Sequence, residues 1–160
     1  MLVSNLPYAI SSRILMEVAG LPVKPRRMVV TVQREVADRM AAAPATPDYG
    51  MLSIALQRHY EVRVLRTLSP TCFWPPPEVR SAVVCLELRP APLGGDCPED
   101  AFRDLLRHLF SQRRKTLGRS LRDFCPDPAP ALAALGIPPE TRPETLSPEA
   151  FPPLLRALRP

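Results

Sequence analysis

Met1-Leu2-Val3-Ser4-Asn5-Leu6-Pro7-Tyr8, followed by Ala9-Ile10-Ser11-Ser12-Arg13-Ile14-Leu15, decides the reading of this chain. The apolar stub reads as the end of a buried strand, and the segment after Tyr8 as a helix start. An amide, a proline and an aromatic ring therefore sit where a strand ends. In open α/β sheets that carboxyl edge is where ligands bind. The residue types suit chemistry on an exocyclic amine. The Asn5 amide oxygen can accept a hydrogen bond from an NH2 group. Pro7 fixes its own φ and biases Leu6 away from the helical region, which can aim the Leu6 carbonyl at the same amine. The Tyr8 ring can stack on a base.

Working outward, residues 11–19 read as a helix that Ser11 or Ser12 can cap and that Gly20-Leu21-Pro22 ends. Arg27-Met28-Val29-Val30-Thr31-Val32-Gln33 is a β-branched run with the composition of a buried parallel strand. A helix is predicted from Glu35 to about Ala43, stopped by Pro44, and another from Leu52 to about His59. Tyr60 to Leu68 and Ser81 to Leu88 read as an antiparallel pair joined by the Pro-rich loop 69–80. Residues 89–98 have linker composition. Beyond them Phe102, Leu105, Leu106, Leu109 and Phe110 recur at helical spacing. Leu117 with Leu121, Leu132, Leu135 and Ile137, and Phe151 with Leu154, Leu155 and Leu158 complete a helical segment.

The 160 residues suffice for one domain or a domain and a half. No apolar run is long enough to span a bilayer, and no basic segment with an apolar core opens the chain. A cytoplasmic protein is expected. Cys72, Cys85, Cys97 and Cys125 form no C-x-x-C pair and lie apart from the two histidines, so reduced thiols and no metal site are expected. Cys85 reads as a core-strand residue, and His59 and His108 as incidental. A formal charge of +5 suits an anionic partner such as RNA, although many basic proteins bind no nucleic acid.

Several stretches share a pattern with one family, and they occur in its order. Asn5-Leu6-Pro7-Tyr8 resembles the signature of amino-group methyltransferases. Val32-Gln33-Arg34-Glu35-Val36-Ala37-Asp38-Arg39, Tyr49-Gly50-Met51-Leu52-Ser53 and Phe73-Trp74-Pro75-Pro76-Pro77-Glu78-Val79-Arg80-Ser81-Ala82-Val83 follow. Phe110-Ser111-Gln112-Arg113-Arg114-Lys115-Thr116-Leu117 with Ser120-Leu121, and Arg142-Pro143-Glu144-Thr145-Leu146-Ser147, complete the set. Together they resemble the ribosomal RNA adenine N6,N6-dimethyltransferases of the small subunit, over nearly the whole chain.

The resemblance implies an α/β fold: the C-terminal half of a Rossmann-like class I methyltransferase sheet, its fourth to seventh strands, followed by a small all-helical domain. Residues 1–90 would form a partial catalytic domain, 91–98 a linker and 99–160 an RNA-binding helical domain. Without the first three strands, residues 2–5 would present an apolar edge. The activity implied is S-adenosylmethionine-dependent dimethylation of two adjacent adenines in small-subunit ribosomal RNA, on the RNA or a pre-30S particle, by a monomer. Asn5, Leu6, Pro7, Tyr8 and Phe73 would be the catalytic set. Asn5 and the Leu6 carbonyl would accept the N6 hydrogens, with Tyr8 and Phe73 on the flipped base. A hydrophobic plug beneath the Pro-rich loop is the other reading of Phe73. Trp74 would either stack or pack.

Arg113, Arg114, Lys115 and Arg119, with Arg103, Arg107 and Arg122, would form a basic helical segment for phosphates. Some of these arginines would instead pair with Asp104 or Asp123. No G-x-G-type loop is present, and Gly94-Gly95 sits in the linker, so Asn5 is the one cofactor contact carried over. A chain of this kind is expected to be inactive alone. Two alternatives stand beside this reading: a non-catalytic ribosomal-RNA-binding remnant, and a large-subunit methyltransferase of the resistance type. The latter more often carries Asn-Ile-Pro-Tyr. Leu6 and Pro75-Pro76-Pro77 favour the small-subunit enzyme.

Overall fold

Along Arg27–Gln33 (β2) Met28, Val30 and Val32 are fully buried while Val29 and Thr31 are half exposed. That period of two marks a strand with one face on a core. In the computed structural model, which describes residues 1–112 and 115–158, Leu2–Asn5 (β1) pairs with β2 in parallel. Tyr60–Leu68 (β3) and Ser81–Leu88 (β4) form the expected antiparallel pair. β4 also runs antiparallel to β2, with Ser81 opposite Gln33. The order across the four-stranded sheet is β1-β2-β4-β3. A register shift between Val64 and Arg66 leaves Leu65 57% exposed.

One face of this sheet carries the core. Met28, Val30, Val32, Ala82, Val84 and Leu86 meet side chains from three helices: Ser11–Ala19 (α1), Arg34–Ala41 (α2) and Met51–His59 (α3). The other face bears the exposed Val3 and the half-buried Val29, Thr31 and Val83, around the buried Cys85. Cys85 is thus in a core strand as predicted, but it points away from the main cluster. Edge strand β1 leaves Val3 68% exposed on this face. Across the same face Glu87 holds Arg27 at 2.6 Å and Arg63 at 2.7 Å.

The later helices extend the same cluster. Glu99–Ser111 (α4) buries Phe102, Leu105, Leu106 and Leu109, and Phe151–Leu158 (α7) buries Phe151, Leu154, Leu155 and Leu158. The short helices Leu117–Ser120 (α5) and Ala129–Ala134 (α6) add Leu117 and Leu132. All of these belong to one hydrophobic cluster with the sheet residues. The segment 89–98 is firmly tied. The Arg89 and Leu93 amides each donate to carbonyls of α3, His59 and Arg58, at 2.8 Å. Arg156 donates to the carbonyls of Asp96 at 2.9 Å and Gly94 at 3.0 Å. Gly94 has φ +73°, and a Cβ there would press on the Glu149 carbonyl and the Pro152 ring.

Two expectations change. Neither Ser11 nor Ser12 caps α1; a 3-10 turn, Tyr8–Ile10, runs straight into the helix, and Ile10 occupies the cap without a side-chain bond. The Ser11 hydroxyl donates instead to the Tyr8 carbonyl at 3.2 Å. His59 is not incidental, because it belongs to a polar cluster around Arg58. The Arg58 guanidinium is 1% exposed. It donates to Glu99 at 2.7 Å and to the Gly95 carbonyl at 3.2 Å, and lies 4.4 Å from the Phe102 ring centroid. His59 Nε2 is 3.1 Å from the same Glu99 oxygen. His108 is likewise engaged, with Nε2 2.8 Å from the Ser120 carbonyl.

Burial works against ionisation of Glu99, but the hydrogen bond with His59 and the charge of Arg58 outweigh it and hold its carboxyl below the usual glutamate range. A depressed folded-state pKa stabilises above the unfolded value, near ~4.3, and the gain fades as pH falls through the folded value. Glu99→Gln should therefore cost about 2 kcal/mol at pH 7. That difference from the parent should be smaller at pH 3 than at pH 7, because the carboxyl protonates as pH falls through its folded value. Urea unfolding at the two pH values measures it, and a deficit that stays constant would refute the pairing.

Candidate active site

The β1–β2 ladder runs one residue past the strand, since the Leu6 amide donates to the Thr31 carbonyl at 3.1 Å. This anchors Leu6, whose side chain is 6% exposed in the core. Pro7, at φ −59° and ψ 124°, then turns the chain into the 3-10 turn Tyr8–Ile10. Asn5 stands on the open face of the sheet and is exposed. Among the described residues neither its side-chain amide nor the Leu6 carbonyl has a hydrogen-bond partner. Two acceptors are thus left free at the carboxyl edge of a parallel pair.

The sheet order brings a second segment to the same edge. β3 ends there and β4 begins there, Leu68 lying opposite Ser81, so the loop between them starts and finishes at the same end of the sheet as Asn5. Ser69 organises the loop start. Its hydroxyl accepts from the Thr71 hydroxyl at 2.9 Å, and its carbonyl from the Cys72 amide at 3.0 Å. The Trp74–Pro75 peptide is cis. At the loop end, the fully buried Ser81 hydroxyl shares a hydrogen bond with the Tyr8 hydroxyl. A cleft of about 320 Å³ results, lined by Asn5, Leu6, Pro7 and Tyr8 from one segment and Phe73, Trp74, Pro75 and Pro77 from the other. The five sequence-predicted residues therefore converge.

The cleft is electrically neutral. No carboxylate, histidine, lysine or arginine lines it, so its chemistry is limited to neutral hydrogen bonds and stacking. It suits a flat neutral ring bearing an NH2 group. Among the described residues no group of His, Cys, Asp and Glu could hold a metal ion, and the four cysteines are free thiols.

The basic residues are arranged differently from expectation. The predicted continuous helix is broken: α4 ends at Ser111, α5 starts at Leu117, and Lys115 lies between them. Arg113 and Arg114 lie outside the described residues. Lys115 and Arg119 do meet, with Arg122, along a groove of about 450 Å³. Arg107 pairs with Asp104 at 2.7 Å and Arg103 with Glu17 at 3.6 Å. A larger groove of about 650 Å³, between α2 and the end of α4, is lined by Arg39, Arg107, Glu35 and Asp48 among others. Sequence reasoning missed Arg39 as a groove residue, although it closes the Val32–Arg39 motif.

The family model described as ribosomal RNA adenine dimethylase matches residues 1–155. The chain belongs to that family. The "Ribosomal RNA small subunit methyltransferase A" of Anaeromyxobacter sp. (strain K) is 45% identical over 149 residues, covering 91% of this chain and 52% of the relative. The protein of the same name from Geobacillus thermodenitrificans (strain NG80-2) is 42% identical over 167 residues, covering 100% and 57%. This adenine dimethylase family member thus spans about half the length of the curated relatives it matches. Among solved structures, a dimethyladenosine transferase from Plasmodium falciparum aligns with a TM-score of 0.79 at 23% identity, over 95% of this chain and 64% of that one. The 23S rRNA methyltransferase ErmE aligns at 0.64 and 23%, over 99% and 64%. At such identity these two likenesses show the fold alone, and that fold is the α/β architecture of a class I methyltransferase.

The Tyr8–Ser81 bond gives this family member a measurable test. Tyr8→Phe strands a fully buried hydroxyl and should cost about 1–2 kcal/mol in urea unfolding. Tyr8→Phe combined with Ser81→Ala should recover most of that loss. Additive losses would mean the two hydroxyls do not bond.

Proposed function

We propose that this chain supplies the adenine-facing half of an S-adenosylmethionine-dependent enzyme that dimethylates adjacent adenines at N6 in small-subunit ribosomal RNA. The observation that carries the reading is the pair of free acceptors, Asn5 and the Leu6 carbonyl, in a neutral cleft that also contains Tyr8 and Phe73. Adenine N6 is a weak nucleophile because its lone pair is delocalised into the ring. Two acceptors that bind both N6 hydrogens keep electron density on nitrogen and fix its direction. Tyr8 and Phe73 hold the extruded base by stacking, and Pro7 and the prolines of the 69–80 loop keep the parts in place. This is catalysis by positioning and electrostatics, with no strong base required in the cleft.

The cofactor supplies the electrophilic sulfonium methyl. Of the residues that would hold it, this chain offers Asn5; a glycine-rich loop and its partner carboxylates have no counterpart in the sequence. Residues 1–90 would be the catalytic portion and 99–160 the part that grips RNA phosphates, with Lys115, Arg119 and the adjoining Arg113 and Arg114. Small-subunit RNA is favoured by the names of the relatives and by Leu6. One observation favours a second reading, a ribosomal-RNA-binding protein without catalysis: the chain spans 52% to 57% of those relatives.

A chimaera separates the two. The portion of the Geobacillus thermodenitrificans relative that this chain does not span would be joined to residues 1–160. It would be assayed with radiolabelled S-adenosylmethionine on unmethylated small and large subunits. Transfer to the small subunit is expected, with none from residues 1–160 alone. Asn5→Ala in the chimaera should lower kcat by about 100-fold or more. A well-folded chimaera that binds RNA and transfers no methyl group would leave the binding reading in place.

A further inference from the structure

Trp74 is 95% exposed, although it adjoins the half-buried Phe73 and lines the same cleft. Its ring therefore packs on nothing in this protein, and a core role is excluded. Nor does it hang from a loose segment. The loop enters through the 3-10 turn Pro70–Cys72, organised by Ser69, and leaves at Ser81, whose hydroxyl is bonded to Tyr8. Three prolines follow the indole directly, so few backbone conformations must be given up when the ring is covered. A large apolar ring carried in water on a restrained backbone beside a ligand cleft is available for stacking.

The charges nearby suit a nucleic-acid strand. Arg80 directly precedes Ser81, and Arg66 pairs with Val83 in the sheet register, two residues into β4. Both arginines are exposed and neither has an ionic partner among the described residues. Glu78 is the single acid in the loop 69–80. A phosphate beside the ends of this loop would meet two arginines against one acid, and a base in the cleft mouth would meet the indole.

We infer that Trp74 is a second stacking site, which holds the unpaired nucleotide flanking the base in the Asn5–Tyr8–Phe73 cleft. This rests on the adenine reading of that cleft and adds to it a subsite for the neighbouring nucleotide. Trp74 makes no contact with the reacting atoms here; it fixes the register of the strand, and so which base enters.

Trp74 is the only tryptophan in the sequence, so indole emission of the unaltered 160-residue chain reports on this site alone. The probe is an RNA hairpin with two adjacent adenines in its loop, compared with a fully paired RNA of equal length. The hairpin should quench the emission saturably and the duplex should not. With a labelled hairpin read by anisotropy, Trp74→Ala should weaken binding by about tenfold, the scale of one lost base–aromatic stack, and Trp74→Phe should recover most of it. Hairpin binding with unchanged emission, no binding at all, or equal affinity for Trp74→Ala would each overturn the assignment.

The two readings fail separately. If the chimaera methylates and Trp74→Ala leaves its KM for RNA unchanged, the flanking site falls and the adenine cleft stands. If the hairpin quenches Trp74 while the chimaera is inactive, the flanking site stands and methyl transfer falls.

Discussion

The position of β4 governs everything else in this protein. Because it runs antiparallel between β2 and β3, the loop that leaves β3 must return to the sheet edge it left. That edge is also where β1 delivers Asn5. A parallel β4 would need a crossover to the far edge, and Phe73 and Trp74 would be carried away from Asn5. The single bond between the Tyr8 and Ser81 hydroxyls then joins the two segments, 73 positions apart in sequence. The cleft is thus a consequence of strand order, and its side chains exploit an arrangement that the backbone already imposes.

Behind the cleft, apolar burial and one buried charge cluster share the task of holding the helices. Fully burying a Leu or Phe side chain stabilises by about 1.5–3 kcal/mol, and α4 and α7 each contribute several. That force has no direction, so it does not set where α4 lies. Arg58 does so, because a buried guanidinium is costly unless its partners stand in fixed places. Glu99 at the start of α4 and the Gly95 carbonyl take its two terminal nitrogens and the Phe102 ring its face, while Nε is buried without a partner. The connecting segment and α4 are therefore both tied to α3 by one side chain.

Legibility in the sequence followed the range of each interaction. The alternation of Met28, Val30 and Val32 and the helical spacing of Phe102, Leu105, Leu106 and Leu109 are local periods, and both elements appear where expected. The convergence of Asn5, Leu6, Pro7, Tyr8 and Phe73 was readable through ordered motifs. Features set by tertiary geometry were not. Arg58 and His59 look like a solvated helix end, and nothing nearby in sequence shows that Glu99 will cover them. Ser11 and Ser12 carry a cap signature, but the 3-10 turn already supplies the helix entry. The basic run after Phe110 reads as one helix, whereas α4 stops at Ser111 and Lys115 lies outside any helix. The exposure of Trp74 depends on which way a loop faces, and composition is silent on that.

Charge is distributed unevenly over the surface, and the distribution has a consequence for selectivity. The cleft is neutral, while Lys115, Arg119, Arg122 and Arg39 lie in separate grooves. An adenine ring carries no charge, and a nearby cation would draw electron density from its amine. Phosphates, by contrast, need cations and are indifferent to base identity. In the proposed reading, affinity for the strand would thus reside in the salt-sensitive grooves. The choice of base would reside in stacking and two hydrogen bonds that salt barely screens. Raising ionic strength should weaken occupancy far more than it alters which base reacts. A site that drew its selectivity from cations would lose both together, and the neutrality of the Asn5–Phe73 cleft argues against that design.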